Sequence, residues 1–199
     1  GDIINSRKVS DQKTWLNPLK KVLSLYGKPP VSWEIFRGDS FQVEIESPSQ
    51  SLMAALRIKA AIKSVKGLDV RMAIGIGKKT YVAARISESN GEAFVNSGEQ
   101  FEELKKLKQR LAIRTPWPAT DRQLNLMINL ASIAMDTWSP SSSQLIDLSL
   151  RYRDLSQKEL GKKIKRTQSS VSERQTRAHF EEILELEKYF RDHITAQSG

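Results

Sequence analysis

Apolar residues near helical spacing fill the first stretch of the chain. Val9, Trp15, Leu16, Leu19, Val22, Leu23 and Tyr26 predict a helix over 9–26. Gly27-Lys28-Pro29-Pro30 stops it. The pattern then changes to alternation. Val31, Trp33 and Ile35, followed by Phe41, Val43 and Ile45, predict a hairpin turning at Gly38-Asp39. Ser47-Pro48-Ser49 opens a second helix that runs to about Lys66 and ends at Gly67. Val70 to Ile76 reads as a strand, Gly91 to about Lys106 as a helix, and Leu111 to Arg114 as a short strand. The order is α-β-β-α-β-α-β, and a further strand before Gly1 would complete it. This predicts an α+β fold, an antiparallel sheet with helices on one face.

Thr115-Pro116-Trp117-Pro118 breaks the pattern and marks a boundary. Residues 1–115 form the sheet domain, 116–140 a connecting segment and 141–199 a helical domain. Leu124, Met127, Ile128, Ala131, Met135 and Trp138 predict a helix over 120–138, and another runs from Gln144 to about Asp154. Beyond it lies the most informative segment, Leu155-Ser156-Gln157-Lys158-Glu159-Leu160-Gly161-Lys162-Lys163-Ile164, then Lys165-Arg166-Thr167, then Gln168-Ser169-Ser170-Val171-Ser172. Ser156 and Glu159 make an S-x-x-E capping box. Leu160 and Ile164 share a face, Thr167 can cap a second helix, and Val171 would pack back on the first. Two short helices joined by a tight turn are the layout of a DNA-binding helix-turn-helix. Gln175, four residues after Val171, weakens the inner face of the second helix. Phe180, Ile183, Leu184, Phe190 and Ile194 continue as an amphipathic helix, either a dimer element or part of the core.

Charge supports an anionic partner. The chain carries a formal +9. Residues 151–179 hold nine Lys/Arg and three acids, and phosphate neutralisation supplies most of the affinity of a nucleic-acid binder. Lys162, Lys163, Lys165, Arg166, Arg174 and Arg177 would contact phosphates. Gln168, Ser169, Ser172 and Thr176 would reach base edges in the major groove. There is no cysteine and there are two histidines, which excludes disulfides, thiolate chemistry and a zinc finger. No apolar run approaches membrane-span length, and no signal peptide is apparent. A cytoplasmic bacterial protein is expected.

Two Gly-Asp pairs form a second pattern, Gly1-Asp2-Ile3-Ile4-Asn5-Ser6-Arg7 and Gly38-Asp39-Ser40-Phe41-Gln42. If the first lies beside the hairpin, Asp2 and Asp39 converge and could share a magnesium ion with a nucleoside triphosphate. The alternative is that both are turn or cap residues. Gly75-Ile76-Gly77-Lys78-Lys79-Thr80 lacks the first glycine of a P-loop, because Met72 stands there. Lys78 and Arg85 remain as candidate nucleotide phosphate contacts.

These motifs, with Arg71-Met72-Ala73-Ile74-Gly75-Ile76-Gly77 and Gly91-Glu92-Ala93-Phe94, occur in an order that resembles the SatD family of small bacterial proteins. The N-terminal half of that family is similar to the palm domain of class III nucleotide cyclases and GGDEF cyclases. The resemblance implies a palm/ferredoxin-like antiparallel sheet followed by an all-α helix-turn-helix domain. It maps the metal-binding acids onto Asp2 and Asp39. The related motif reads Gly-Asp-Glu-Phe-Gln, and here Ser40 replaces the glutamate, so catalytic turnover is not expected. The leading reading is a transcriptional regulator that binds double-stranded DNA as a homodimer, with a palm-like half that takes a nucleotide. The alternative is a magnesium-dependent nucleotidyl cyclase or related nucleotidyl transferase.

Overall fold

The computed structural model describes residues 1–198. Asp2–Ile4 forms strand β1, Trp33–Phe36 β2, Ser40–Val43 β3, Asp69–Gly75 β4 and Leu111–Arg114 β7. They make one sheet in the order β2-β3-β1-β4-β7. The first strand is thus within the chain, at the centre of the sheet. Three residues are too few to show alternation, which is why the pattern placed it upstream. Helices α1 (Lys13–Leu23) and α2 (Ser51–Lys63) connect these strands, and α3 (Glu92–Leu107) precedes β7. A two-stranded ribbon, β5 (Lys79–Tyr81) and β6 (Asn90–Gly91), lies between β4 and α3. Its strands are too short for the alternation to reveal.

The sheet is mixed, not antiparallel. β1 pairs antiparallel with both β3 and β4, but β7 runs parallel to β4. A helical crossover through α3 returns the chain in the same direction. Helices also cover both faces. Val70, Met72 and Ile74 of β4 enter the core with Leu52, Leu56 and Ile62 of α2. Successive strand residues point to opposite sides, so Gly75 faces α3. A Cβ there would come within 2.2 Å of the Ala93 carbonyl oxygen. That glycine serves close helix–strand packing, and no phosphate loop forms around it.

Helix α4 (Pro118–Met135) closes the β7 edge. Asn125 accepts from the Ile113 N–H and donates to the Ile113 carbonyl, both at 2.8 Å. One side chain thereby satisfies backbone groups that an edge strand would leave open. Leu126, Leu130 and Ile133 of α4 are exposed. Helices α5 (Pro140–Arg151), α6 (Gln157–Ile164), α7 (Gln168–Arg177) and α8 (Phe180–Ser198) follow. Eight α-helices and the mixed sheet make an α+β fold among the described residues. α5 starts earlier than the apolar pattern indicates, because Ser139 caps it and Pro140 occupies its first turn.

One buried cluster joins Trp15, Leu19 and Val70 to Leu124 and Ile128 of α4, Ile146 and Leu150 of α5, and Phe180, Ile183, Phe190 and Ile194 of α8. The apolar face of α8 is therefore core and is not free for a second copy. The tryptophans Trp15, Trp33 and Trp138 are buried, and Trp117 packs at the edge of the same core. Beneath it lies a buried ion network. Lys59 Nζ of α2 reaches Asp69 Oδ1 at 3.1 Å and Asp136 Oδ1 at 2.8 Å, Lys63 reaches Asp69 Oδ2 at 3.3 Å, and Arg110 contacts both acids. This network fixes the end of α4 to the sheet. No helix among the described residues is long and apolar enough to cross a membrane.

Candidate nucleic-acid interface

α5, α6 and α7 enclose a small core of their own, Leu145, Leu160 and Val171, flanked by Leu148, Leu155 and Ile164. The capping box forms as the spacing predicts. The Glu159 N–H donates to Ser156 Oγ at 3.4 Å, and Glu159 Oε2 accepts from the Ser156 N–H at 2.8 Å. The Ser156 hydroxyl and then its backbone N–H hold the Glu159 carboxyl below its ordinary pKa.

The turn after α6 is set by two features. Lys165 adopts φ 53, and the Arg166 N–H returns to the Gly161 carbonyl at 2.9 Å, a Schellman-type helix end. The chain crosses so close to Gly161 that a Cβ there would stand 2.6 Å from the Arg166 carbonyl oxygen. Thr167 Oγ1 then accepts from the Ser170 N–H at 3.2 Å and starts α7.

The inner side of α7 is Val171, Gln175 and Ala178, all buried. Gln175 does not weaken this face. Its Oε1 accepts from Gln157 Nε2 at 2.9 Å, and its Nε2 donates to Ser149 Oγ at 3.1 Å. One amide therefore ties α5, α6 and α7 together. Sequence spacing marks position 175 as inward, but the partners lie 18 and 26 residues away. Trp138 Nε1 donates to the Ala178 carbonyl at 3.0 Å and locks the α7–α8 junction to the end of α4.

The first position of α7 and its opposite side face out. Gln168, Ser169 and Thr176 are exposed and Ser172 is half-buried. Lys162, Lys163, Lys165 and Arg166 are exposed around the turn, while Arg174 is half-buried. Lys163 Nζ sits 4.4 Å from the centre of the Tyr152 ring, and Arg177 pairs with Glu173. Both pairs are solvent-exposed or nearly so, and such pairs are weak enough to exchange for a phosphate. His179 is exposed, 3.7 Å from Glu182.

The remaining predicted site residues lie on the sheet. Asp2 is in register with Ser40 and Arg71, and its carboxylate is 3.7 Å from the Arg71 guanidinium. Opposed residues of an antiparallel pair share a face, so Asp2 looks toward α3. Asp39 lines a cleft with Trp15 on the α1 side, where it accepts from Ser6 Oγ at 2.5 Å. Asp2 Oδ1 is buried without a hydrogen-bond partner. Arg85 is held by the buried Glu34 and by Glu88. The Lys78 N–H donates to Glu92 at 3.3 Å. Neither lines the cleft beside Asp39.

A family model described as the SatD family matches residues 1–197. The chain belongs to the SatD family. Neither a curated protein nor a solved structure matches it. The SatD match covers α6 and α7 as well as the sheet, so the helical hairpin lies inside the family's shared sequence.

Proposed function

We propose that this SatD-family chain is a cytoplasmic bacterial transcription regulator that binds double-stranded DNA through α6 and α7. The observation that carries the reading is the division of α7. Val171, Gln175 and the following Ala178 anchor one side, while Ser169, Ser172 and Thr176 lie on the other and Gln168 is exposed at the first position of the helix. α7 would lie in the major groove with its N-terminal residues at base edges, and Lys162, Lys163, Lys165 and Arg166 would flank it on phosphates. A homodimer would place two such helices on two half-sites. Strand order β2-β3-β1-β4 with the intervening helices supports a palm-like N-terminal half, which serves as the ligand-sensing part. The cyclase alternative requires Asp2 and Asp39 to share an ion, and Ser40 replacing an acid, with Asp2 beside the Arg71 guanidinium, argues against it.

Fluorescence anisotropy with mixed duplex DNA tests the reading. Binding is expected at low salt and should weaken steeply as salt rises, because each phosphate contact releases counterions. Absence of binding at low salt would remove the proposal.

A further inference from the structure

We propose that the cleft between the start of α1 and the β2–β3 turn binds a phosphorylated small molecule. β1 leaves the sheet at Ile4, Asn5 takes φ 65, and a single 3-10 turn, Ser6–Lys8, leads toward α1. Across from it the hairpin turns through Arg37 at φ 52 and Gly38 at φ 89. Between these segments is a cleft of about 410 Å³, within the size range of small-ligand sites.

The walls of this cleft are rich in donors. Arg7 and Arg37 both line it and are exposed, and neither enters an ion pair among the described residues. Ser10 adds a hydroxyl. α1 begins here after Gln12, and its first N–H, that of Lys13, is already taken by Asp11 Oδ1 at 2.9 Å, so the helix start is not among the free donors. The decisive group is Trp15. It lines the cleft, is 1% exposed, and its indole N–H is buried without an acceptor. Buried donors are normally satisfied, and leaving one unmade is costly. Asp39, the carboxylate of the cleft, is already engaged by Ser6.

Two free guanidiniums, an indole N–H and a hydroxyl require a ligand with several acceptor oxygens and negative charge. A carboxylate offers two oxygens. A phosphate monoester offers three, with a charge between −1.5 and −2 near neutral pH. Arg7 and Arg37 therefore take the phosphate-contacting role expected of Lys78 and Arg85. The cleft lies outside α6 and α7, so failure of this site leaves the DNA-binding reading intact, and the reverse holds.

The test is titration of the full chain with inorganic phosphate, pyrophosphate and ATP. Calorimetry gives the affinity, and the indole ¹H–¹⁵N cross-peak of Trp15, assigned with Trp15→Phe, gives the location. At least one ligand should saturate and move that cross-peak. Saturation by phosphate alone would show that the phosphate group suffices, and saturation by ATP alone that a nucleoside is also recognised. Arg7→Gln and Arg37→Gln, both at exposed positions, should each weaken binding about tenfold. No saturation by any ligand at millimolar concentration would overturn the proposal. So would unchanged affinity in the double arginine variant, or a Trp15 cross-peak that stays in place.

Discussion

Replacing Asp69 by alanine should lower stability by about 3–5 kcal/mol, the usual consequence of removing one side of a buried ion pair. Asp69 is the more buried of the two acids in the network, its side chain 9% exposed against 31% for Asp136. Without it, Lys59 keeps only Asp136, and Lys63 keeps only the Asp136 backbone carbonyl at 3.0 Å. The Val70 N–H also loses its 2.8 Å bond to Asp69 Oδ1. For a chain of this length the Tm should fall by about 10 °C. The triple substitution Lys59→Met, Lys63→Met and Asp69→Leu should recover much of that loss, because the buried charges are then replaced together by apolar groups and Asp136 keeps Arg110. Thermal and urea unfolding of the variants give the answer. A loss below about 1 kcal/mol, typical of an exposed pair, would contradict the buried-network account.

Gly161→Val should cost about 2–3 kcal/mol of stability in the hairpin and abolish DNA binding. The Cβ would meet a backbone carbonyl and not the end of a mobile side chain, so the turn Lys165-Arg166-Thr167 must move. That turn sets the Thr167 cap and hence the angle at which α7 leaves α6. Moving it displaces Gln168 and Ser169 together with Lys165 and Arg166. Because Phe180, Ile183 and Phe190 of α8 belong to the main core, the sheet and α8 should stay folded. Hydrogen exchange should show loss of protection confined to α6 and α7. A Gly161→Val protein that binds DNA as the parent does would show that the close crossing at residue 161 does not govern the interface.

Much of this architecture is legible in the sequence because its signals are local. The Ser156–Glu159 box, the Thr167 cap and the Gly38-Asp39 turn each depend on residues a few positions apart, and Leu160 and Val171 meet across one tight turn. The parts that escape depend on distance. Lys59 and Lys63 stand four apart in a helix that is buried almost all round, itself a sign of buried acids, but the acids come from β4 and from the end of α4. Gln175 reads as a defect until Ser149 and Gln157 are seen beside it. β1 is too short to announce itself, and the parallel pairing of β7 with β4 is a tertiary choice that no strand pattern encodes. Asp2 faces Ser40 across β1 and β3, and Asp39 is the turn residue just before it. A Gly-Asp spacing alone does not reveal which way each carboxylate points.

The central claim is that α7 reads base edges while the basic turn holds the backbone. Its most direct measurement compares Gln168→Ala and Lys163→Ala on a duplex selected for tight binding and on a random duplex, at fixed salt. The account predicts that Gln168→Ala costs about 1–3 kcal/mol on the selected duplex and little on the random one. Lys163→Ala should weaken both alike and reduce the salt dependence. Equal losses on the two duplexes for Gln168→Ala, or no loss on either, would contradict the assignment of α7 as the reading helix.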